Sequence, residues 1–290
     1  MVSTCAATGY DVSWVNGSPY VFLEARQPPR SSGGFFLIDT GANTSAVDRS
    51  WIEGLLGPVG ETVTVPEFDF VITQREVRFH VQDLRHLHAV QGQPQVGTLG
   101  TDFLSRFAVD LSPGGPRLAL VARDPRERCV SDWDALRAIP LRIYTATPAV
   151  TGPENIPTVE LTLNGGRLPC QLDTGTDAPG AEASVSLNEA AFEQVRDALV
   201  LVEERTLSRT SDQTRVRVYK ARSGSGLQAS VSGEPLRIDR VLVQGPENGH
   251  PFSASTPQAL AGMSVIRQWR RVVFDPFGQR LWVKSLARER

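Results

Sequence analysis

Lysine is almost absent from this 290-residue chain: Lys220 and Lys284 are the only two, and the other basic residues are arginines, which we attribute to genomic composition. The 30 basic residues are balanced by 32 acidic ones, so the formal net charge is −2. A nucleic-acid or acidic-membrane partner would require a basic excess or patch, and the balance argues against both. No apolar run reaches the roughly 18 residues of a membrane span, and the N-terminus lacks the features of a signal peptide. We therefore expect a soluble protein.

Cysteine is also scarce. Cys5, Cys129 and Cys170 are too few and too dispersed for a zinc cluster or a disulfide framework. Cys129 and Cys170 could form one bridge or remain buried thiols, and the sequence leaves both options open. Cys5 could be the lipid-modified residue of a processed lipoprotein, so a periplasmic, secreted or lipid-anchored location also stays open.

Histidine offers little for metal binding. His80, His86 and His88 lie within nine residues, and His86 and His88 would share one face of a strand. No third or fourth ligand at the right geometry is obvious, so we expect solvent-exposed side chains. The chain also has no Gly-x-Ser-x-Gly nucleophile elbow. These patterns predict neither a metal site nor an organic cofactor, and they do not suggest a serine nucleophile.

A duplicated motif is the most informative feature that is present. An apolar run at 35–38 leads directly into Asp39-Thr40-Gly41-Ala42, and a second run at 168–172 leads into Asp173-Thr174-Gly175-Thr176. A chain of this composition would contain about 0.1 Asp-Thr-Gly tripeptides by chance, so two copies point to an internal repeat.

The repeat extends beyond the tripeptides. Strand-like segments precede both copies, at 19–25 and 156–163. Thr98-Leu99-Gly100 follows the first copy and Leu260-Ala261-Gly262 the second, each with an aromatic residue seven positions after its glycine. Each half then closes with an aspartate, a turn and an apolar strand. The predicted domains are therefore residues 1–125, a linker at 126–155, and residues 156–290.

Short β-branched runs between turn residues predict a mainly β protein. Two helices are expected. The longer is predicted at 187–203, with Ser186 as its N-cap and apolar residues at near-helical spacing, and the shorter at 48–56.

The chemistry of the repeat explains its residue types. A carboxylate at the end of a buried strand is partly desolvated, and a glycine two residues later permits close backbone approach. If two such loops meet about a pseudo-twofold axis, their carboxylates cannot both ionise easily and share one proton. The ionised member can activate a water while the protonated member donates to a carbonyl oxygen.

In these motifs the chain resembles the aspartic proteases. The first motif is similar to the retroviral branch and the second to the C-terminal lobe of pepsins. The resemblance covers about residues 19–283, and it implies an all-β, bilobal, pepsin-like fold of two pseudo-symmetric β-barrel-like lobes with short helices and a cleft that receives an extended polypeptide. Both aspartates lie in one chain, so a monomer would suffice for activity. The implied function is aspartic endopeptidase.

The resemblance also implies a role for each site residue. Asp39 and Asp173 would be catalytic, without cofactor or metal. Thr40 and Thr174 would brace the two loops against each other, and Gly41 and Gly175 would let the backbone approach substrate. Further support of the active-site loops would come from Ala42, Thr176, Leu99, Gly100, Ala261 and Gly262.

Three departures from the family pattern accompany the resemblance. Ala42 stands where the family often has a hydroxyl residue, which should raise the lower apparent pKa of the dyad and give a pH optimum less acidic than that of stomach pepsin. Asp177 adds a third carboxylate near the motif, and we expect it to face solvent. The hairpin at 63–81 could form a flap over the cleft, although it contains no tyrosine.

Two rival interpretations remain open at this stage. A catalytically inactive relative could keep the cleft as a peptide-binding module. Alternatively, the chain could be a two-domain β interaction protein with chance motifs, although the duplication weighs against that. The sequence does not identify the physiological substrate or the cleavage specificity.

Overall fold

The computed structural model describes residues 7–65, 67–68, 77–84, 87–122, 132–146, 155–176, 182–208, 213–222, 227–244 and 258–285. Strands dominate this part of the chain, as predicted, and they form two large sheets. None of its helices is both long and apolar enough to cross a bilayer.

Both halves of the chain contribute strands in a similar order. The first half contains β1 (Ala7–Val15), β2 (Ser18–Gln27), β3 (Arg30–Ile38), β4 (Ala46–Asp48), β5 (Thr62–Val65), β6 (Glu67–Phe68), β7 (Val77–Gln82), β8 (Ala89–Val90), β9 (Gln93–Leu99), β10 (Ala108–Leu111) and β11 (Arg117–Val121). The second half contains β12 (Arg137–Pro140), β13 (Thr158–Leu163), β14 (Gly166–Leu172), β15 (Ser184–Asn188), β16 (Leu199–Ser208), β17 (Gln213–Ala221), β18 (Leu227–Val231), β19 (Glu234–Ile238), β20 (Arg240–Gln244), β21 (Ala259–Ala261), β22 (Trp269–Asp275) and β23 (Arg280–Ser285).

The helices of the described chain are short. They are α1 (Arg49–Leu56), α2 (Thr101–Leu104), α3 (Glu189–Glu193), α4 (Met263–Ile266) and two 3₁₀ turns, Asp132–Ala135 and Arg196–Ala198.

The two lobes repeat one topology. In the first lobe the strands lie in the order β2-β3-β9-β4-β7-β5, and in the second in the order β13-β14-β21-β15-β20-β17. The pairing directions also match, because β3 and β9 are parallel, as are β14 and β21. The second lobe adds β16 at the outer edge of β17. The internal repeat in the sequence is therefore a repeat of structure, and the protein is bilobal.

A continuous sheet joins the lobes. Its strand order is β12-β23-β22-β10-β11-β1, so each half of the chain supplies three strands. The central contact pairs β10 with β22, with Val109 opposite Phe274. Across the same contact, the Asp110 carboxylate accepts hydrogen bonds from Nε and Nη2 of Arg271, at 3.0 and 2.5 Å. The buried core likewise extends through both lobes.

The segment predicted as a linker, 126–155, contributes to this sheet through β12, which pairs with β23. Parts of it, at 126–131 and 147–154, lie outside the described residues. The predicted domain boundaries stay a prediction.

The helix expected at 187–203 is wrong. Only α3 is α-helical there, and Asn188 rather than Ser186 caps it by accepting from the Ala191 amide at 2.9 Å. The chain passes through a 3₁₀ turn into β16. The apolar residues that suggested one helix divide between two elements: Phe192 is a buried residue of α3, whereas Val202 lies exposed in β16. The predicted short helix is confirmed as α1, with Asp48 as its N-cap.

Candidate active site

The two Asp-Thr-Gly loops occupy matching places at the ends of β3 and β14. The amide of Asp39 donates to the Leu99 carbonyl at 3.0 Å, and the amide of Asp173 donates to the Ala261 carbonyl at 3.0 Å. These bonds extend the parallel strand pairs by one residue. Each aspartate is therefore held by the buried strand that it follows and by the strand that ends immediately before Gly100 or Gly262.

Each carboxylate is held by its own loop. Oδ1 of Asp39 accepts from the amides of Gly41 and Ala42, at 2.8 and 3.1 Å. Oδ1 of Asp173 accepts from the amides two and three residues after it, at 2.8 and 3.0 Å. Bonds to backbone amides orient a carboxylate and favour its charged form.

Two threonines connect the loops in a reciprocal way. The Thr40 hydroxyl donates to the Leu172 carbonyl at 2.7 Å and accepts from the Thr174 amide at 3.1 Å. The Thr174 hydroxyl donates to the Ile38 carbonyl at 2.6 Å and accepts from the Thr40 amide at 3.0 Å. Both threonines are buried. Four hydrogen bonds therefore tie two loops that are 134 residues apart in sequence.

The glycines of the motif lie directly against the opposite aspartate. A Cβ atom built on Gly41 would lie 2.2 Å from Cγ of Asp173, and one built on Gly175 would lie 2.3 Å from Cγ of Asp39. Non-bonded carbon atoms normally rest at about 3.5–4.0 Å. Only glycine leaves room here for the carboxyl groups to approach each other.

The two carboxyl groups interact directly. Burial raises the pKa of Asp39 well above its usual range, and the charge of Asp173 and a hydrogen bond between the two side chains raise it further. The amides of Gly41 and Ala42 oppose this increase. Asp173 is 7% exposed, and Asp39 is only partly buried. The arrangement favours one proton held between two carboxylates, with the pair accessible to water at Asp39.

The remaining predicted residues surround these loops in a symmetric way. The Thr101 amide donates to the Ala42 carbonyl at 2.8 Å, and the Met263 amide donates to the Thr176 carbonyl at 2.9 Å. A Cβ atom on Gly100 would lie 2.8 Å from the Ala42 carbonyl oxygen, and one on Gly262 would lie 2.1 Å from that of Thr176. Each glycine thus lets a helix begin against one of the two Asp-Thr-Gly loops.

Several residues beside the loops were not predicted from the sequence. The Ser45 hydroxyl donates to Oδ1 of Asp102 at 2.7 Å and accepts from the Gly100 amide at 3.0 Å. The Ser18 hydroxyl donates to the Gly175 carbonyl at 3.4 Å, and so joins β2 to the opposite loop. Tyr20 is buried on the same strand. No local sequence motif predicts such residues, because their hydrogen-bond partners are distant in the sequence.

Other predicted features have mixed outcomes. His80 and His88 are exposed, as predicted, whereas His86 lies outside the described residues. No group of three or more potential metal-ligating side chains occurs within the described ranges. Cys170 is a buried free thiol, and burial raises its pKa to about 12. Cys5, Cys129 and Asp177 fall outside the described residues.

The base of the predicted flap hairpin is present. β5 and β7 pair antiparallel up to Val65 opposite Val77, and β6 pairs with β2. The tip at 69–76 lies outside the described residues, so the flap stays a prediction.

The sequence matches no protein-family model and no curated protein. A solved structure, the aspartic proteinase from Irpex lacteus, is similar over 97% of this chain and 98% of its own, with 13% sequence identity and a TM-score of 0.49.

Proposed function

We propose that this protein is an aspartic endopeptidase in which Asp39 and Asp173 form the catalytic dyad. The observation that carries the proposal is the reciprocal contact between the two loops, in which each motif glycine lies against the opposite carboxyl group. A shared proton gives the pair one acid and one base at the same place, which is what hydrolysis of an amide without a covalent intermediate requires.

The reaction follows from these groups. The ionised carboxylate removes a proton from a water molecule as the water oxygen attacks the peptide carbonyl carbon. The protonated carboxyl donates its proton to the carbonyl oxygen, which gives a neutral tetrahedral diol. The C–N bond then breaks as the nitrogen accepts a proton from one carboxyl group and a diol hydroxyl returns a proton to the other, which restores the shared proton.

The fixed loops favour this chemistry. The dyad must hold both oxygens in position while protons move, and misplacement by about 1 Å can cost about a hundredfold in rate. The threonine bonds tie the loops together, and the amide bonds to Oδ1 restrict carboxylate rotation. Because one chain supplies both loops, a monomer would form a complete site.

The test measures cleavage of unfolded casein between pH 3 and 7, with and without pepstatin. Asp39→Asn and Asp173→Asn should each abolish cleavage, because an amide can neither share the proton nor act as base. Asp11→Asn is the matched control, because the Asp11 side chain is 95% exposed. We expect this control to cleave like the wild type.

Other results would overturn the proposal. Cleavage that survives either active-site substitution would place the chemistry elsewhere. A folded wild-type protein that binds peptides without cutting them at any of these pH values would support the peptide-binding alternative.

A further inference from the structure

Tyr20 is a buried tyrosine on the strand beside the first active-site loop. It lies in β2 directly opposite Leu37 of β3, and Leu37 lies opposite Thr98 of β9. Directly opposed side chains share one face of a sheet, and residues two apart in a strand return to that face. Tyr20, Leu37 and Thr98 therefore share the face toward which Asp39 continues from β3. Tyr20 is 1% exposed.

The Tyr20 hydroxyl begins a buried chain of hydrogen bonds. It donates to Oε1 of Gln95 at 3.3 Å, and Nε2 of Gln95 donates to Oγ1 of Thr98 at 3.1 Å and to the Gly97 carbonyl at 3.2 Å. Gln95 is completely buried. If a buried amide loses one hydrogen-bond partner, the cost in folding free energy exceeds that of the lost bond. Each side chain in this series of hydrogen bonds therefore helps to fix the next.

This chain of bonds ends next to the backbone group that holds Asp39. Thr98 immediately precedes Leu99, whose carbonyl accepts from the Asp39 amide. The side chain of Gln95 therefore orders the last residues of β9 at the point where that strand receives the first active-site loop. A shift in β9 would pass to Asp39 through a single hydrogen bond.

The groups around Tyr20 keep it neutral. Burial, followed by the negative charge of Asp39, raises the pKa of the phenol far above its usual range. His88 presents its ring edge-on to Tyr20, with centroids 6.4 Å apart, and the His88 carbonyl accepts from the Gln95 amide at 2.9 Å. A phenol that stays protonated is a constant hydrogen-bond donor to Gln95.

The second lobe has a different residue at the matching place. Thr158 of β13 lies opposite Gln171 of β14, just as Tyr20 lies opposite Leu37, and in each case the partner is two residues before the aspartate. The Thr158 hydroxyl donates to the Ile156 carbonyl, two residues away, at 2.9 Å. The strand opposite Gln171 on its other side carries Leu260 where the first lobe has Thr98. The chain thus offers a matched control.

We infer that Tyr20 is a positioning residue for Asp39, acting through Gln95 and the end of β9. This inference rests on the proposed function, since it assigns Tyr20 a part in the same reaction. Tyr20 would set the placement of one carboxylate only, and the two halves of the dyad would then be supported by different means.

The experiment compares Tyr20→Phe, Gln95→Leu, the double variant and Thr158→Val with the wild type. Tyr20→Phe keeps the buried ring and removes only the donor to Gln95. We expect kcat to fall about tenfold and KM to change little. The buried Gln95 amide would lose its hydrogen-bond donor, and this would disturb the placement of Asp39 rather than the binding of the peptide. The fall in kcat should be no larger in the double variant than in Gln95→Leu alone, since both substitutions break the same series of hydrogen bonds. Thr158→Val should keep the wild-type kcat.

A second readout does not depend on cleavage. The carboxyl ¹³C signal of Asp39, followed by NMR as the pH is changed, should titrate at a shifted midpoint in Tyr20→Phe and at the wild-type midpoint in Thr158→Val. If the wild-type protein cuts no peptide, the proposed function fails, while the titration still tests the positioning role. Unchanged kcat together with an unchanged titration midpoint in a folded Tyr20→Phe protein would overturn the inference.

Discussion

A single methyl group added at Gly41 should reduce activity far more than it reduces the stability of the fold. In Gly41→Ala the new carbon would lie 2.2 Å from Cγ of Asp173 and 2.4 and 2.5 Å from its two oxygens. Since carbon atoms need about 3.5 Å or more, the carboxyl group or the loop must move by more than about 1 Å. A displacement of that size in a reacting group costs about a hundredfold in rate, and the strain costs about 1–3 kcal/mol in the free energy of unfolding.

Gly54→Ala is the matched control for that substitution. Gly54 lies inside α1, where an added Cβ atom would meet no heavy atom within 4 Å. Alanine stabilises a helix interior by about 1 kcal/mol relative to glycine. Gly54→Ala should therefore keep full activity and raise the melting temperature by about 2 °C.

The assay for both variants is kcat/KM on a fluorogenic peptide, together with urea unfolding and thermal melting. The expected pattern is a loss of activity in Gly41→Ala that is far larger than its loss of stability would explain. A folded Gly41→Ala protein with wild-type kcat/KM would refute the reasoning, because the chemistry would then tolerate a displaced Asp173.

Three further predictions concern stability. The raised pKa of Asp39 means that the folded state favours the protonated form of this group. Its contribution to stability is therefore complete below the unfolded pKa of about 3.9 and is lost as the pH rises through the raised folded pKa. In urea unfolding, Asp39→Asn should gain stability relative to the wild type between pH 4 and 7, and parallel pH profiles would contradict this. Thr174→Val removes two buried hydrogen bonds and should lower the free energy of unfolding by about 2–3 kcal/mol, whereas Thr174→Ser should recover most of it in the same urea titration. Asp110→Ala removes the carboxylate that accepts two hydrogen bonds from Arg271 in the joining sheet, and it should lower the free energy of unfolding by about 1–3 kcal/mol, measured by thermal melting. An unchanged melting temperature would show that this ion pair does not stabilise the joined lobes.

The sequence predicted two Asp-Thr-Gly loops that each follow an apolar strand, and the geometry within each loop is local. Asp39 and Asp173 each end a buried strand, and the amide bonds to their carboxylates come from residues two and three positions later. A short motif contains all of that geometry. The duplication added the expectation that two such loops would meet, and the overall β architecture followed from the turn spacing.

Features that depend on distant partners could not be predicted in this way. Ser45 meets Gly100 and Asp102 across more than fifty residues, and Tyr20 meets Gln95 across seventy-five. The spacing of apolar residues also gave a wrong prediction at 187–203, where one apparent helical pattern is divided between a helix and a strand. The sequence pattern predicts one helix that contains Phe192 and Val202, but the first is a buried residue of α3 and the second is exposed in a β-strand.

The strand order of the joining sheet has a consequence for how the chain is made. The first lobe leaves one side of β10 without its neighbour until residues 269–275 of the second half have also been synthesised. An open strand edge can pair with whatever β segment is nearby, including another nascent copy. We therefore expect the unpaired edge of β10 to be a site of aggregation in nascent chains whose second half has not yet been made.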